Sequence, residues 1–379
     1  MMAIWTFDVT RGRAGLEELQ LQWDELARRE RHLAFHQCAA WAGAYLDHLA
    51  PDGDALLFVS ARRDGALALV LVLERLHGRV LRLLKHDHLV LSDVLAPDCD
   101  ATVWPLLWAW LCGPQGPGCR RLELPALAAD ATLAHWLQAC PPALVLRRDL
   151  EGSARLDVNR PYAGLLKAAS ASHRSNIVRG RKRALGMGQL RYETHVGPGG
   201  MAAALDHFLA VEVSGWKGRS GGAVACRPEL MAFYAQLAAI ESAHASCEID
   251  LLWLDKQVIA TVFWLRCGVS LQLQKIAYRE ELGEFGPGRL ILAEALQRAC
   301  ADPTLQQVSF ITRCSWADGW RTQIVPVHAW ELRPGTLVGR IAHLRAFCVQ
   351  AAKRWLRPLL QRWRTERLTR FGVRAEAHS

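Results

Sequence analysis

Ten residues, Glu280-Glu281-Leu282-Gly283-Glu284-Phe285-Gly286-Pro287-Gly288-Arg289, carry the first hint of chemistry in this sequence. They lie between a strand-like run at 269–278 and a helix-like run at 289–300. Glycines in such a place let the chain turn tightly and aim backbone N–H groups at one point. The helix dipole and Arg289 make that point suit a pyrophosphate. No G-K-[ST] follows and G-x-G-x-x-G is absent, so the run is neither a P-loop nor a Rossmann fingerprint. The plainer reading is a turn that only ends a strand. Two tight histidine groups, His32 with His36 and His86-Asp87-His88, have ligand-like spacing. H-E-x-x-H is absent and no acidic third ligand stands beside the first pair, so no metal site is expected. A basic run at 170–183 holds Arg174, Arg179, Arg181, Lys182 and Arg183 with no acid. It reads as a helix capped by Ser170 or Ser172, its cations either solvated or receiving an anionic group.

The elements that must position these residues follow an order that occurs twice. In the first half, helices at 16–29 and 37–49 precede strands at 55–61, 65–75 and 80–84, a helix at 101–112 and a strand at 121–124. In the second, helices at 201–213 and 228–244 precede strands at 248–254, 258–266 and 269–278, a helix at 289–300 and a strand at 307–311. Where the second half has its glycine corner, the first has Leu91-Ser92-Asp93-Val94-Leu95-Ala96-Pro97-Asp98-Cys99-Asp100, with three aspartates and no glycine. A nucleotide-bearing ligand is therefore expected on the second half alone.

Composition sets the class. The chain has 379 residues, 51% hydrophobic and 22% charged, which suits a folded protein of about two domains. The first thirty residues hold six acids and no apolar h-region, so neither a secretory signal nor, elsewhere, an apolar run of about 20 residues for a membrane span is expected. Eleven cysteines without a C-x-x-C pair argue for a reduced, cytoplasmic protein. The net charge is +9, and ten Lys/Arg against the single acid Glu366 fall between Arg340 and Arg374. Leu337, Ile341, Leu344, Cys348, Trp355, Leu359 and Trp363 recur there at helical spacing, with a kink near Pro358. A basic amphipathic tail at 336–379 follows, which either lies on an anionic membrane surface or docks on the body. Nucleic acid is disfavoured, because no binding motif accompanies the charge.

Strand, glycine turn and helix after antiparallel strands are similar to the GNAT acyltransferase fold. Several segments together resemble the CelD/BcsL group of that superfamily, related to the FemAB-like tandem-GNAT proteins. They are Ser172-His173-Arg174-Ser175-Asn176 with the basic helix running to Gly186-Met187-Gly188, Glu212-Val213-Ser214-Gly215-Trp216-Lys217-Gly218, Lys275-Ile276-Ala277-Tyr278, and Gly286-Pro287-Gly288-Arg289-Leu290. Leu91-Ser92-Asp93 resembles the family's strand-end aspartate. One departure is Trp320-Arg321, where the family places a Tyr-Lys pair.

The resemblance implies a mixed α+β chain of two tandem GNAT-like domains, 1–155 and 156–335, each a mostly antiparallel sheet flanked by helices, plus the basic tail. It implies acyl-CoA (acetyl or longer) as donor, no metal, and an amine or hydroxyl of an envelope polysaccharide, sugar or lipid precursor as acceptor. Long-chain N-acylation of a lipid amine at the membrane, FemAB-like aminoacyl transfer and a non-catalytic scaffold remain as alternatives. Gly286, Gly288, Arg289 and Leu290 are expected to hold the donor. Glu212, its pKa raised by partial burial beside Trp216, is the candidate base, or it merely pairs with Lys217. Lys275 at a strand end would stabilise an anionic intermediate, and Ser315 would protonate the leaving thiolate. Trp216, Lys217, Asp93, Arg174, Trp320 and Arg321 are expected around the acceptor.

Overall fold

The computed structural model describes residues 4–240, 242 and 244–352. The first half runs β1 (Trp5–Arg11), α1 (Gly12–Arg29), α2 (Ala39–His48), β2 (Leu56–Arg63), β3 (Ala66–Leu76), β4 (Val80–Leu83), α3 (Val103–Cys112), β5 (Arg121–Ala128), α4 (Thr132–Ala139) and β6 (Leu144–Asp157). The second runs α5 (Tyr162–Ala168), α6 (Ala171–Met187), β7 (Leu190–Val196), α7 (Pro198–Ser214), α8 (Trp216–Arg219), α9 (Pro228–Ala238), β8 (Ala245–Leu254), β9 (Gln257–Cys267), β10 (Ser270–Tyr278), α10 (Pro287–Ala301), β11 (Gln307–Ser309) and β12 (Gln323–Arg333). Residues 337–352 form one more helix, and the rest of the expected tail, with its kink near Pro358, lies outside the described residues.

The expected order of helices and strands is present in both halves, and in each a further strand, β1 or β7, precedes the repeated helices. All twelve strands join one sheet in the order β1-β2-β3-β4-β5-β12-β6-β11-β10-β9-β8-β7. Among the described strands only β4–β5 and β10–β11 pair in parallel. Each parallel pair is short, three residues a strand, and the chains diverge beyond it. The middle of the sheet departs from two self-contained domains. β6 pairs with β11 of the second half, and β12 returns to pair with β5 of the first. β6 and β12 hydrogen-bond to each other from Gln323↔Arg155 to Arg333↔Leu144. The halves thus exchange their last strands, and the boundary expected at residue 155 falls inside one of the exchanged strands.

Alternation along the strands builds three cores. On one face, α1 and α2 of the first half and α7 and α9 of the second share a cluster that includes Trp23, Trp41, Phe58, Phe233, Tyr234 and Phe263. On the other face the halves keep separate clusters, one under α3 and α4, the other under α5, α6 and α10. Leu271 and Leu273 of β10 point into the α10 cluster, whereas Gln272 and Gln274 face the shared side. Trp41 meets Phe233 edge to face at 5.9 Å across the halves, and the Cys38 and Cys267 sulfurs lie 3.5 Å apart. Both are free thiols, like the other described cysteines.

Helix α6 rides on the loop before α10, and a glycine permits the approach. A Cβ on Gly180 would stand 2.2 Å from the Phe285 carbonyl oxygen. Gly180→Ala is therefore expected to push α6 from the loop and cost about 1–3 kcal/mol, as overpacking against backbone does. Urea unfolding checks this; a variant as stable as the parent would show that the approach is not tight.

Candidate active site

The last turn of α7 places Glu212 under β10, where it is 2% exposed. Its Oε1 lies 3.3 Å from Lys275 Nζ and 3.4 Å from Lys217 Nζ, and its Oε2 accepts the Val224 N–H at 2.8 Å. Three expected residues thus come together, and each reaches the carboxylate for a local reason. Gly215 ends α7 and turns the chain into α8, which carries Lys217. A bulge between Leu273 and Lys275 shifts the register of β10 against β9, and such a bulge re-aims the side chain beyond it. Burial pushes the Lys275 pKa down, opposed by Glu212 and helped by Lys217. Trp216 does not bury Glu212: it is 62% exposed.

Three further groups complete the cluster. Lys275 Nζ stands 5.7 Å from the centre of the Tyr234 ring, within cation–π range. The Tyr234 hydroxyl lies 2.8 Å from His88 Nδ1, and Gln274 Nε2 donates to the His88 carbonyl at 2.9 Å. His88 comes from the first half, after the parallel part of β4, so the site is built from both halves. Burial, then Lys275 and the other nearby cations, hold its pKa down to about 3. The sequence signalled His88 through the His86-Asp87-His88 cluster. Nothing set Tyr234 apart from an ordinary buried residue of α9.

Beside this cluster opens a cleft of about 380 Å³ on the shared face of the sheet, within the range of small-molecule sites. Its walls include His36, His88, Asp93, Gln272, Gln274 and Ser309. Arg155 of β6 pairs with Asp130 at its rim, one oxygen at 3.1 Å. His36 falls in a short turn, not on a helix face with His32. Its Nε2 is buried without a partner among the described residues, and burial lowers its pKa to about 4. Asp93 accepts the Thr132, Leu133 and Val94 N–H groups at 2.7, 3.0 and 2.8 Å. It thereby caps the start of α4 and lines the cleft as well. Burial raises its pKa to about 6 in spite of those three donors.

The glycine corner is on the other side of β10. Gly286 adopts φ +66°, the left-handed conformation that glycine takes without strain. The corner is not the open row of amides expected from sequence. Pro287 has no N–H, and Arg289 and Leu290 already donate to the Gly286 carbonyl. Gly288 is left as the free donor of residues 287–290. A Cβ on Gly288 would meet the Tyr278 ring at 3.0 Å, and one on Gly286 would meet the Arg289 guanidinium at 2.9 Å. Arg289 therefore folds over the corner as its cation, while the Leu290 side chain is core at 2% exposed.

The remaining expected residues are dispersed. Arg174 donates through Nη1 to the Lys167 and Ala169 carbonyls and so caps the end of α5. Trp320 is buried against His173 with ring centres 4.8 Å apart, a packing role. Arg321 (φ +55°) and Ser315 are exposed on the loop between β11 and β12. Among the described residues no group of three or more His, Cys, Asp or Glu is placed to hold a metal.

The perturbed groups in the cleft predict a pH dependence of stability. Unfolded, His36 and His88 titrate near pH 6.5, and folded they titrate near 4 and 3, so below pH 6.5 the unfolded chain binds protons that the native one does not. Their stabilisation is complete above pH 6.5 and is lost as pH falls. Asp93 acts in the opposite sense between about pH 6 and 4, where the native chain binds the extra proton. His36→Gln removes one of the two histidine contributions. Urea titrations between pH 6 and 4.5 should show the pH slope of this variant shallower than the parent's by about 1.4 kcal/mol per pH unit. Equal slopes would mean that His36 is not held neutral.

With this geometry in hand, comparison with known proteins is informative. No curated protein matches the sequence. Among solved structures, FemX superposes with a TM-score of 0.56 at 11% identity, covering 86% of this chain and 98% of that one. L-PGS from Bacillus licheniformis gives 0.52 at 12%, covering 86% and 95%, and a C-terminal DUF2156 domain from Agrobacterium fabrum gives 0.54 at 11%, covering 88% and 95%. At such identities the likeness is one of fold. Residues 171–315, from α6 to the loop after β11, match the model of the acetyltransferase (GNAT) domain, so the half of the chain that holds Glu212, Lys275 and the glycine corner carries a GNAT-type domain.

Proposed function

We propose that the protein is a GNAT-type acyltransferase that moves an acyl group from acyl-CoA to an amine or hydroxyl of a polar acceptor held in the cleft between the halves. The observation that carries the reading is the buried Glu212–Lys275–Tyr234–His88 cluster, set at the bulge of β10 and bordering that cleft. In the reaction the acceptor's nitrogen or oxygen bonds to the thioester carbonyl carbon, the carbon–sulfur bond breaks, and the thiolate leaves and takes a proton. Charge gathers on the carbonyl oxygen first, and a desolvated ammonium stabilises such charge strongly. Lys275 is that ammonium. Glu212 has both oxygens engaged, so its part in this reading is to hold Lys275 and Lys217 rather than to take a proton. Asp93, with a pKa near 6, is the carboxylate of the cleft able to exchange one near neutral pH. On the donor side, the Gly288 amide and Arg289 would hold the diphosphate.

The lining of the cleft bears on the acceptor. Gln272, Gln274, Ser309 and the Arg155–Asp130 pair suit hydroxyl and amine groups better than a long acyl chain. A sugar or amino-sugar precursor therefore fits better than a sphingoid-like amine, in keeping with the resemblance to the CelD/BcsL group. Aminoacyl transfer of the FemAB kind is the second reading, and the single free amide at the corner favours it, because an aminoacyl-tRNA donor brings no diphosphate to be gripped there.

Lys275→Met is expected to lower kcat/KM by about 10²–10³-fold while leaving the acyl-CoA-induced rise in Tm in place. Measured on the purified chain with acetyl-CoA, longer acyl-CoAs and an amine panel, full activity of this variant would remove Lys275 from the chemistry. Absence of any Tm shift, together with turnover of aminoacyl-tRNA, would transfer the assignment to the second reading.

A further inference from the structure

The helix at 337–352 wears its apolar side outward. The positions turned to the body are Gly339, Ala342, His343, Ala346 and Gln350, small or polar residues that are buried or half-buried. At 100° per residue the opposite side is Leu337, Ile341, Leu344 and Cys348, and the first three are 75%, 50% and 62% exposed. Phe347 (56%) and Val338 and Val349 (67% and 54%) extend this face to both flanks. Arg340 and Arg345 stand one on each side of the stripe. No acid occurs in 337–352, and Lys353, Arg354 and Arg357 follow in the sequence. A helix that only docked on the body would turn the stripe inward; this one offers it to something else, and no described residue covers it.

We propose that helix 337–352 is a membrane-surface anchor, which lays Leu337, Ile341, Leu344 and Phe347 among the acyl chains of an anionic bilayer while Arg340 and Arg345 meet the headgroups. Apolar residues along one face with cations at its borders are the pattern of an interfacial helix, and each cation near an anionic leaflet adds to the attraction. Charge selects this occupant over a second copy of the chain, because pairing two such stripes would bring the arginines of both copies together. The helix lies beside β4, β5 and β12 near Arg121 and Arg333. The cleft instead meets β5 at Ala128, so the anchor and the site can be tested apart. Among the described residues no helix is long and apolar enough to cross a membrane, and the contact is with one leaflet.

The test is co-sedimentation of the full chain with vesicles of phosphatidylcholine alone or with about one-third phosphatidylglycerol. Wild type should bind the anionic vesicles at least about tenfold more tightly than the neutral ones, and high salt should weaken the binding. Ile341→Asp/Leu344→Asp should lose about tenfold or more on anionic vesicles, with Tm and turnover of a soluble acceptor unchanged because both residues are exposed and far from the cleft. Equal vesicle binding by this variant would overturn the proposal. So would a vesicle-free dimer of the wild type that the same two substitutions dissociate.

Discussion

A carboxylate kept out of water must be matched by charge and hydrogen bonds, and Glu212 meets this requirement through Lys275, Lys217 and the Val224 amide. The consequence is positional. α7 carries the buried group, and α8, the segment before α9 and β10 each contribute one partner to it, so none can shift without stranding a charge. Removing one member of such a set usually costs several kcal/mol, because what is left behind is an uncompensated ion. The same restraint fixes Lys275 over the Tyr234 ring, and Tyr234 in turn reaches His88 of the other half. A structural ion cluster in the second half therefore holds a first-half histidine at the edge of the cleft.

The exchanged strands make that junction rigid. Had β6 stayed beside β5 and β12 beside β11, the halves would meet through helices alone. Here β6 and β12 run side by side along ten ladder positions in the middle of the sheet. The sheet is continuous, and α2 packs on α9 above it as one shared core. The cleft opens where the shared layer of helices leaves the central strands uncovered. Its floor is backbone in a ladder, which gives fixed distances between Gln272, Ser309 and Arg155.

Period and punctuation made the repeated helices and inner strands legible, because β2, β3, β8 and β9 are long apolar runs bounded by turns at Asp64-Gly65 and Asp255-Lys256. The strands that escaped, β1, β6, β7 and β12, lie at the two edges or in the exchanged centre, and their sequences mix charge with apolar residues. Strand exchange itself leaves no mark in one sequence, since either pairing would satisfy the same alternation. At the site, Glu212, Lys217 and Lys275 were legible from family likeness and local glycines. The convergence of both lysines on one buried carboxylate was not, and neither was Tyr234, whose polar tip is concealed in an apolar helix pattern. The glycine corner misled in one respect: the glycines predict the turn, but which amides remain free depends on the i−3 and i−4 carbonyls and on the proline between them.

In the proposed reaction, the distribution of proton affinity in the cleft bears on where the acceptor's proton would go. Glu212 cannot take it without breaking a contact to an ammonium or to the Val224 amide. His88 holds a proton only below about pH 3 and His36 only below about 4, so both are neutral hydrogen-bonding groups at neutral pH. Asp93 is the exception, because the burial that drives the histidines down drives a carboxylate up, to about 6. The same desolvation thus sets the cleft's groups into two classes, histidines that stay uncharged and one acid near the working range. Since Asp93 also caps α4, its protonation is tied to the fold: a proton gained on that carboxylate weakens the charge that three backbone donors were arranged to meet. A group so placed trades protons only in small excursions.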